Sequence, residues 1–455
     1  MRLYDDTRGG AFYREKLEEL LFWVRKRWGR CSKSRHYSDL ARSAFAGDGA
    51  LSLAPLLALV LCAPLVLAGC RNGKSVSQLE RNEIFSLGYG NFEDELNLQN
   101  LSGVGEIQTS LVMKDGFFYI ANGESKKIME MNSYGDLITF YYNEDVNPTP
   151  SYVKGKSAET STRKAIPYPF NELSCIAVDS RKYLYAVDKL PLERQEQDAA
   201  KKHVLSQIVL RFDRDGNFLD YIGQQGPGGT PFPFIKAVYA TEENELVVVS
   251  LTNDGYTVYW FSTDGYLLYK VPVDDASVPD PYADGDGGHW LHVAEIIPGC
   301  EGRTLFLKVD YYSSFVDETV HLESGVHYEK SFLYQFEVDS AAYGEHPLEI
   351  PPYTEQVTEG FSSGHYDIPF DFIGVTDSGW CFFMVSTDDG FSVMMMQLDG
   401  QRILRRKLPV LRRDTLYYTF NLSNDGILSA LLIQSGSARV DWWRTDSLIQ
   451  SVIKN

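Results

Sequence analysis

Basic residues are in short supply in this chain: 43 Lys and Arg stand against 62 Asp and Glu, for a formal charge of −19. Nucleic acid needs Lys and Arg clustered on one face to meet its phosphates, and this balance argues against such a partner. Metal-ligand patterns are scarce too. No Cys-x-x-Cys pair occurs, and the eight histidines show no metal-ligand spacing. Apolar stripes at helical spacing are missing after residue 70, which leaves little room for a helical fold there. What is plentiful points to strands and tight turns: 13 % aromatics including 28 Tyr, 37 Gly, and recurrent Asp-Gly pairs. A length of 455 residues allows two or three average domains, yet a propeller or barrel of this size is often one unit.

The charge is unevenly spread. Residues 1–69 hold 11 basic against 7 acidic side chains, so the remainder carries −23, a balance that repels anionic lipid surfaces. From 50 to 68 no residue is charged, and Arg25, Lys26, Arg27, Arg30, Lys33, Arg35 and Arg42 lie upstream. A basic head, an apolar core and small residues form an export signal. Pro55 and Pro64 weaken the core as a stable spanning helix. It closes on Leu67, Ala68, Gly69 and Cys70, an aliphatic residue and two small ones before a thiol, which is the pattern a lipid-transferring enzyme and its signal peptidase require. Cys70 is therefore expected to carry a covalent lipid; the other reading is an uncleaved anchor with an incidental cysteine. Residues 1–49 make a long basic leader with an amphipathic stretch at 12–28, which points to a translation start nearer residue 40, a long basic region, or a helix with its own role. If Cys70 is acylated, Cys175, Cys300 and Cys381 remain, enough for at most one disulfide; Cys175 and Cys381 sit in apolar runs and read as small buried hydrophobes.

Residues 70–82 read as a lipidated cysteine and polar tether, and 83–455 as one repeating β domain. The clearest unit runs from Ser174 to Gly223: strand, turn, strand, longer loop, strand, an Asp215-Gly216 turn, strand. The same order recurs at 110–143, 235–273, 370–410 and 417–453, with a swollen copy at 289–350. Six units of about four strands with no helices between them predict an all-β, six-bladed β-propeller, because a blade buries both faces only by stacking radially on its neighbours. A tandem immunoglobulin-like array would need units of about 100 residues.

Ile176-Ala177-Val178-Asp179, Tyr185-Ala186-Val187-Asp188 and the Gly-rich joint from Tyr221 to Phe234 resemble the NHL-repeat family of propellers, and residues 85–92 are similar to the same joint. That placement implies that Ile84, Phe85, Ser86 and Leu87 complete the last blade and close the ring. With the lipid signal, the whole is similar to the lipid-anchored NHL-type propellers of spirochaetes such as treponemes, which implies an envelope location, with the propeller in the periplasm or at the surface.

Sites for chemistry are few. Gly360-Phe361-Ser362-Ser363-Gly364 matches a nucleophile elbow, but Tyr366 to Phe370 is strand-like where the elbow needs a helix, so an inter-blade loop is the better reading. Asp280, Asp284 and Asp286 share a Gly-rich loop that offers oxygens to calcium, although the spacing is not that of an EF-hand and a solvated acidic loop explains it. His289 and His292, three apart on a strand, face opposite ways. The segments 143–168, 191–203, 274–288 and 310–330 are longer than the repeat requires, and Tyr311, Tyr312 and Phe315 are the aromatic candidates for a binding patch. The sequence thus favours a membrane-anchored module binding an envelope protein or peptide, with no cofactor beyond the lipid. The rival is a metal-dependent lactonase or esterase, which would need carboxylates and carboxamides on innermost strands; none is picked out by the sequence.

Overall fold

A computed structural model describes residues 77–98, 108–153, 162–198, 203–283, 288–317, 322–359 and 362–453. The leader, the apolar segment, Leu67, Ala68, Gly69 and Cys70 lie outside these residues, as do Asp284 and Asp286.

The apolar runs form strands in six antiparallel sheets, and the sheets form a six-bladed propeller. Blade 1 is Thr109–Lys114, Phe117–Asn122, Lys127–Met131 and Leu137–Tyr142; blade 2 is Leu173–Val178, Leu184–Lys189, Gln207–Phe212 and Phe218–Gly223. Blade 3 is Phe234–Ala240, Leu246–Thr252, Gly255–Phe261 and Leu267–Val273, and blade 4 is built on His289–Pro298, Thr304–Asp317 and Leu322–Glu337. Blade 5 is Asp371–Val375, Trp380–Thr387, Gly390–Gln397 and Ile403–Leu408. Blade 6 is Thr415–Leu422, Leu428–Gln434 and Ala438–Trp443, and its outer strand is Asn82–Tyr89, paired antiparallel with Ala438–Trp443. The ring is therefore shut by the two ends of the domain, with Phe85 opposite Val440 and Leu87 opposite Ala438, as the joint-like residues 85–92 imply.

Burial explains why the strands read as they do. Middle strands contact a neighbouring blade on both faces, so Gln207–Phe212 is buried throughout and Leu428–Gln434 nearly so. Outer strands alternate, as in Leu267–Val273, because only one face is covered. Six apolar clusters lie one at each blade junction, and hydrogen bonds cross every junction. Examples are Ser110 Oγ to the Ser174 carbonyl at 3.3 Å and Met113 N to Asn421 Oδ1 at 2.9 Å.

The joint between blades 2 and 3 shows why glycine is needed there: a Cβ on Gly223 would lie 2.3 Å from the Gly229 carbonyl oxygen. In the Asp215-Gly216 turn, Asp213 Oδ1 accepts the N–H groups of Asp215 and Asn217 at 2.8 Å, and Gly216 takes φ +88°. The one α-helix among the described residues, Thr445–Ile453, packs Ile449 between blades 5 and 6. No helix among the described residues is long and apolar enough to cross a membrane.

Candidate functional site

Antiparallel order within a blade puts the entry to its first strand and the turn between its second and third strands at the same end. The four long segments all fall at these positions, on one face of the disc. Residues 143–168 connect blades 1 and 2, and there Lys164–Pro167 runs parallel to Leu137–Tyr142 and covers that edge. Residues 191–203 include half of a small hairpin, Glu196–Asp198 with His203–Leu205. Residues 274–288 lead into blade 4.

The described residues of the fourth segment are strand. Residues 310–317 and 322–330 belong to Thr304–Asp317 and Leu322–Glu337, and the start of His289–Pro298 pairs alongside. The extension therefore has three strands. A second hairpin, Tyr353–Glu359 with Ser362–Ile368, follows it. Ser362 opens a strand there, so the nucleophile-elbow reading has no helix to rest on.

The extension sorts the candidate aromatics. Tyr311 is 1 % exposed in the core between blades 3 and 4, its hydroxyl bonded to the Pro279 carbonyl and, at 2.9 Å, to Tyr334. It is a packing residue and not part of a surface, because neighbours on a strand point opposite ways. Tyr312 is half-buried and stands in a cross-strand ladder that the sequence did not reveal. Trp290 pairs with Tyr312 at 6.1 Å between ring centroids, and Tyr312 with Tyr328 at 6.0 Å. Trp290 is 41 % exposed. The backbone of Phe315 lies further along the same strand, and its side chain is outside the described residues. Asp280 is exposed and accepts the Tyr282 N–H at 2.9 Å, an Asx turn. His289 stacks on Tyr282 at 5.0 Å, away from any partner histidine.

A cavity of about 460 Å³ occupies the channel between the first strands of blades 3 to 6. Glu295, Asp371 and Asn421 line it, so innermost strands do carry carboxylates and a carboxamide, contrary to the expectation from sequence. Burial pushes the carboxyls of Glu295 and Asp371 upward, and each also feels a neighbouring carboxylate. Lys236 lies 3.6 Å from Glu295. Behind them, Lys308 Nζ and Asp310 Oδ2 are 2.6 Å apart and almost wholly enclosed, with the Ser331 hydroxyl donating to Asp310. Odd-numbered Leu305, Leu307 and Val309 face blade 3, so Lys308 and Asp310 face blade 5. Asn421 Oδ1 is already taken by the Met113 N–H. Among the described residues no three His, Cys, Asp or Glu side chains converge to hold a metal ion. At the far mouth, Lys114 Nζ reaches Glu242 at 3.0 Å, and Asn424 donates to the same carboxylate, which links blades 1, 3 and 6 across the axis.

The cysteines of the domain are unpaired. Cys300 and Cys381 are buried, and Cys175 is partly so, its thiol pushed up to about 11 by burial.

Asp188, the end of one NHL-like strand, accepts N–H bonds from Asn171 and Glu172 at 2.8–3.1 Å and so fixes the entry to blade 2. Burial outweighs those bonds and pushes its carboxyl up to about 6. A raised folded-state value means that the native protein holds the proton more tightly than the unfolded chain, so stability falls as pH rises from about 4 to about 6. The stability of the parent relative to Asp188→Asn is expected to fall by up to about 2–3 kcal/mol across that window in urea titrations. A flat difference would show that Asp188 ionises freely.

The sequence matches no protein-family model and no curated protein. Among solved structures, a gluconolactonase from Xanthomonas campestris is 11 % identical, over 82 % of this chain and 99 % of that one, with a TM-score of 0.38. A PL25 ulvan lyase is 10 % identical over 79 % and 95 %, with a TM-score of 0.40. A streptogramin B lyase is 11 % identical over 80 % and 97 %, with a TM-score of 0.34. At such identity and score, none lends a residue role or an activity to this chain, whose six-bladed fold rests on its own strand order and junctions.

Proposed function

We propose that this chain is an envelope lipoprotein, anchored through Cys70, whose propeller binds a protein or peptide on the face bearing the long segments. The observation that carries the reading is the ladder of Trp290, Tyr312 and Tyr328 on a three-stranded extension that the blade itself does not need. Aromatic side chains on a rigid strand give large contact area with little entropy to lose, which is the composition of binding hot spots. The uncharged segment closing on Leu67, Ala68, Gly69 and Cys70 supports the anchor, and Cys70→Ala is expected to abolish acyl labelling and processing. Crosslinking in the native envelope is expected to yield a reproducible neighbour, and Trp290→Ala with Tyr312→Ala to weaken its capture by about thirtyfold or more. Unchanged capture by a correctly folded double variant would refute the ladder as the binding site.

A second reading, a metal-dependent hydrolase, draws support from Glu295 and Asp371 in the channel cavity. It requires the melting temperature to shift when EDTA is added, because a bound cation stabilises the native state by mass action. The binding module predicts no such shift.

A further inference from the structure

Against the charge of −19, residues 402–413 hold Arg402, Arg405, Arg406, Lys407, Arg412 and Arg413, and no acidic residue. The run covers the outer strand of blade 5, Ile403–Leu408, and the connection to blade 6. Arg402, Arg405, Arg412 and Arg413 are exposed; Arg413 lies 3.7 Å from Asp414, which ends the run, while among the described residues no carboxylate pairs with Arg405 or Arg412. Charge on an edge strand that residues 77–79 cover only at Lys407 deters edge-to-edge pairing. That accounts for Arg405, but not for Arg412 and Arg413 beyond the strand or for Leu411 and Leu416 beside them, 48 % and 59 % exposed.

A hollow of about 550 Å³ adjoins this run. Arg81, Arg413, Arg439, Leu411 and Leu416 are among its walls, with Asp414 as the one acidic residue. Arg81 and Arg439 are tied to Asp441 and Glu83, while the buried Arg439 Nε has no hydrogen-bond partner among the described residues. The N-terminal segment is laid against the same edge: Leu79 N donates to the Lys407 carbonyl at 3.0 Å and Lys407 N to that of Ser77 at 3.2 Å. Ser77 is seven steps along the chain from Cys70, a reach of at most about 25 Å.

We propose that this rim docks on the anionic phospholipid headgroups of the membrane holding the anchor, with the arginines meeting phosphates and Leu411 and Leu416 entering the interface. The proposal rests on Cys70 as the anchor point. Each basic residue near an anionic surface multiplies partitioning by about five, so losing three lowers it on the order of a hundredfold.

The test uses the full chain with Cys70→Ala, with and without Arg405→Gln, Arg412→Gln and Arg413→Gln, sedimented with vesicles of phosphatidylglycerol and phosphatidylcholine. The ratio of the two partition coefficients is read, so that the shared apolar segment cancels, and matching circular dichroism and melting confirm that the exposed substitutions leave the fold intact. A ratio on the order of a hundred that collapses in high salt and in pure phosphatidylcholine supports docking. A ratio near one overturns it. Release by inorganic phosphate, but not by chloride of equal ionic strength, would also overturn it, since the rim would then be a site for small anions. Mass spectrometry of native Cys70 decides the anchor separately: an unacylated cysteine with a high ratio removes the anchor and leaves the basic rim.

Discussion

Replacing Lys308 by Met is expected to destabilise the domain by about 3–5 kcal/mol, measured by urea unfolding. The ammonium is 2.6 Å from Asp310 and both side chains are almost fully enclosed, so removing one partner strands a buried charge. The stranded carboxylate would face Asp371 and Glu295, whose carboxyls are already pushed up by burial and now gain from Lys308 a compensating attraction. The loss is expected to shrink in acid, because the raised carboxyls of Glu295 and Asp371 take up protons and no longer repel the stranded Asp310. Adding Asp310→Leu to Lys308→Met should restore most of the stability, since an apolar pair of similar volume avoids the desolvation cost. If the single variant is as stable as the parent, the pair is solvated and the junction of blades 4 and 5 is open to water.

The second large effect concerns ring closure. A chain beginning at Ser77 is expected to melt in one cooperative transition, whereas one beginning at Gly90 should lack a native state by circular dichroism and calorimetry. Without Asn82–Tyr89 the strand Ala438–Trp443 becomes a bare edge. Phe85 leaves its edge-to-face contact with Phe118 at 5.6 Å, Leu87 leaves the same core, and fully buried Asp441 loses Arg81. Two apolar side chains and one broken buried pair amount to about 8 kcal/mol, comparable to the entire stability of a typical domain. A cooperative transition in the shorter chain would show that five complete blades and a three-stranded sixth suffice.

Much of the fold was readable because local and global signals agree. Continuous apolar runs such as residues 207–212 mark middle strands, Asp215-Gly216, Asp264-Gly265 and Asp399-Gly400 mark outer hairpins, and joint-like residues 85–92 mark the closing strand. Blade 4 was harder. Past buried Tyr311, residues 312–330 hold Ser, Asp, Glu, His and Gly in place of an alternating apolar pattern, so the strands there carry no periodic signal. Tyr311 and Tyr312 are indistinguishable in sequence, and only the register against His289–Pro298 and Leu322–Glu337 turns one inward. Glu295 and Asp371 sit far apart along the chain in apolar surroundings, and the ring alone brings them to one cavity. The basic rim is visible as a run of residues, yet the acidic whole-chain total masks it.

The pairing of Asn82–Tyr89 with Ala438–Trp443 also sets a schedule. Synthesis delivers the closing strand first and its partner last, so the earliest strand must wait for nearly the whole domain before it finds a neighbour. Until then the growing chain is an open arc with apolar flanks uncovered at both ends, the condition in which proteins are most exposed to proteases and chaperones. A prematurely terminated chain never leaves that condition. The clasp therefore acts as a length gauge, since only a complete polypeptide can hide its own ends.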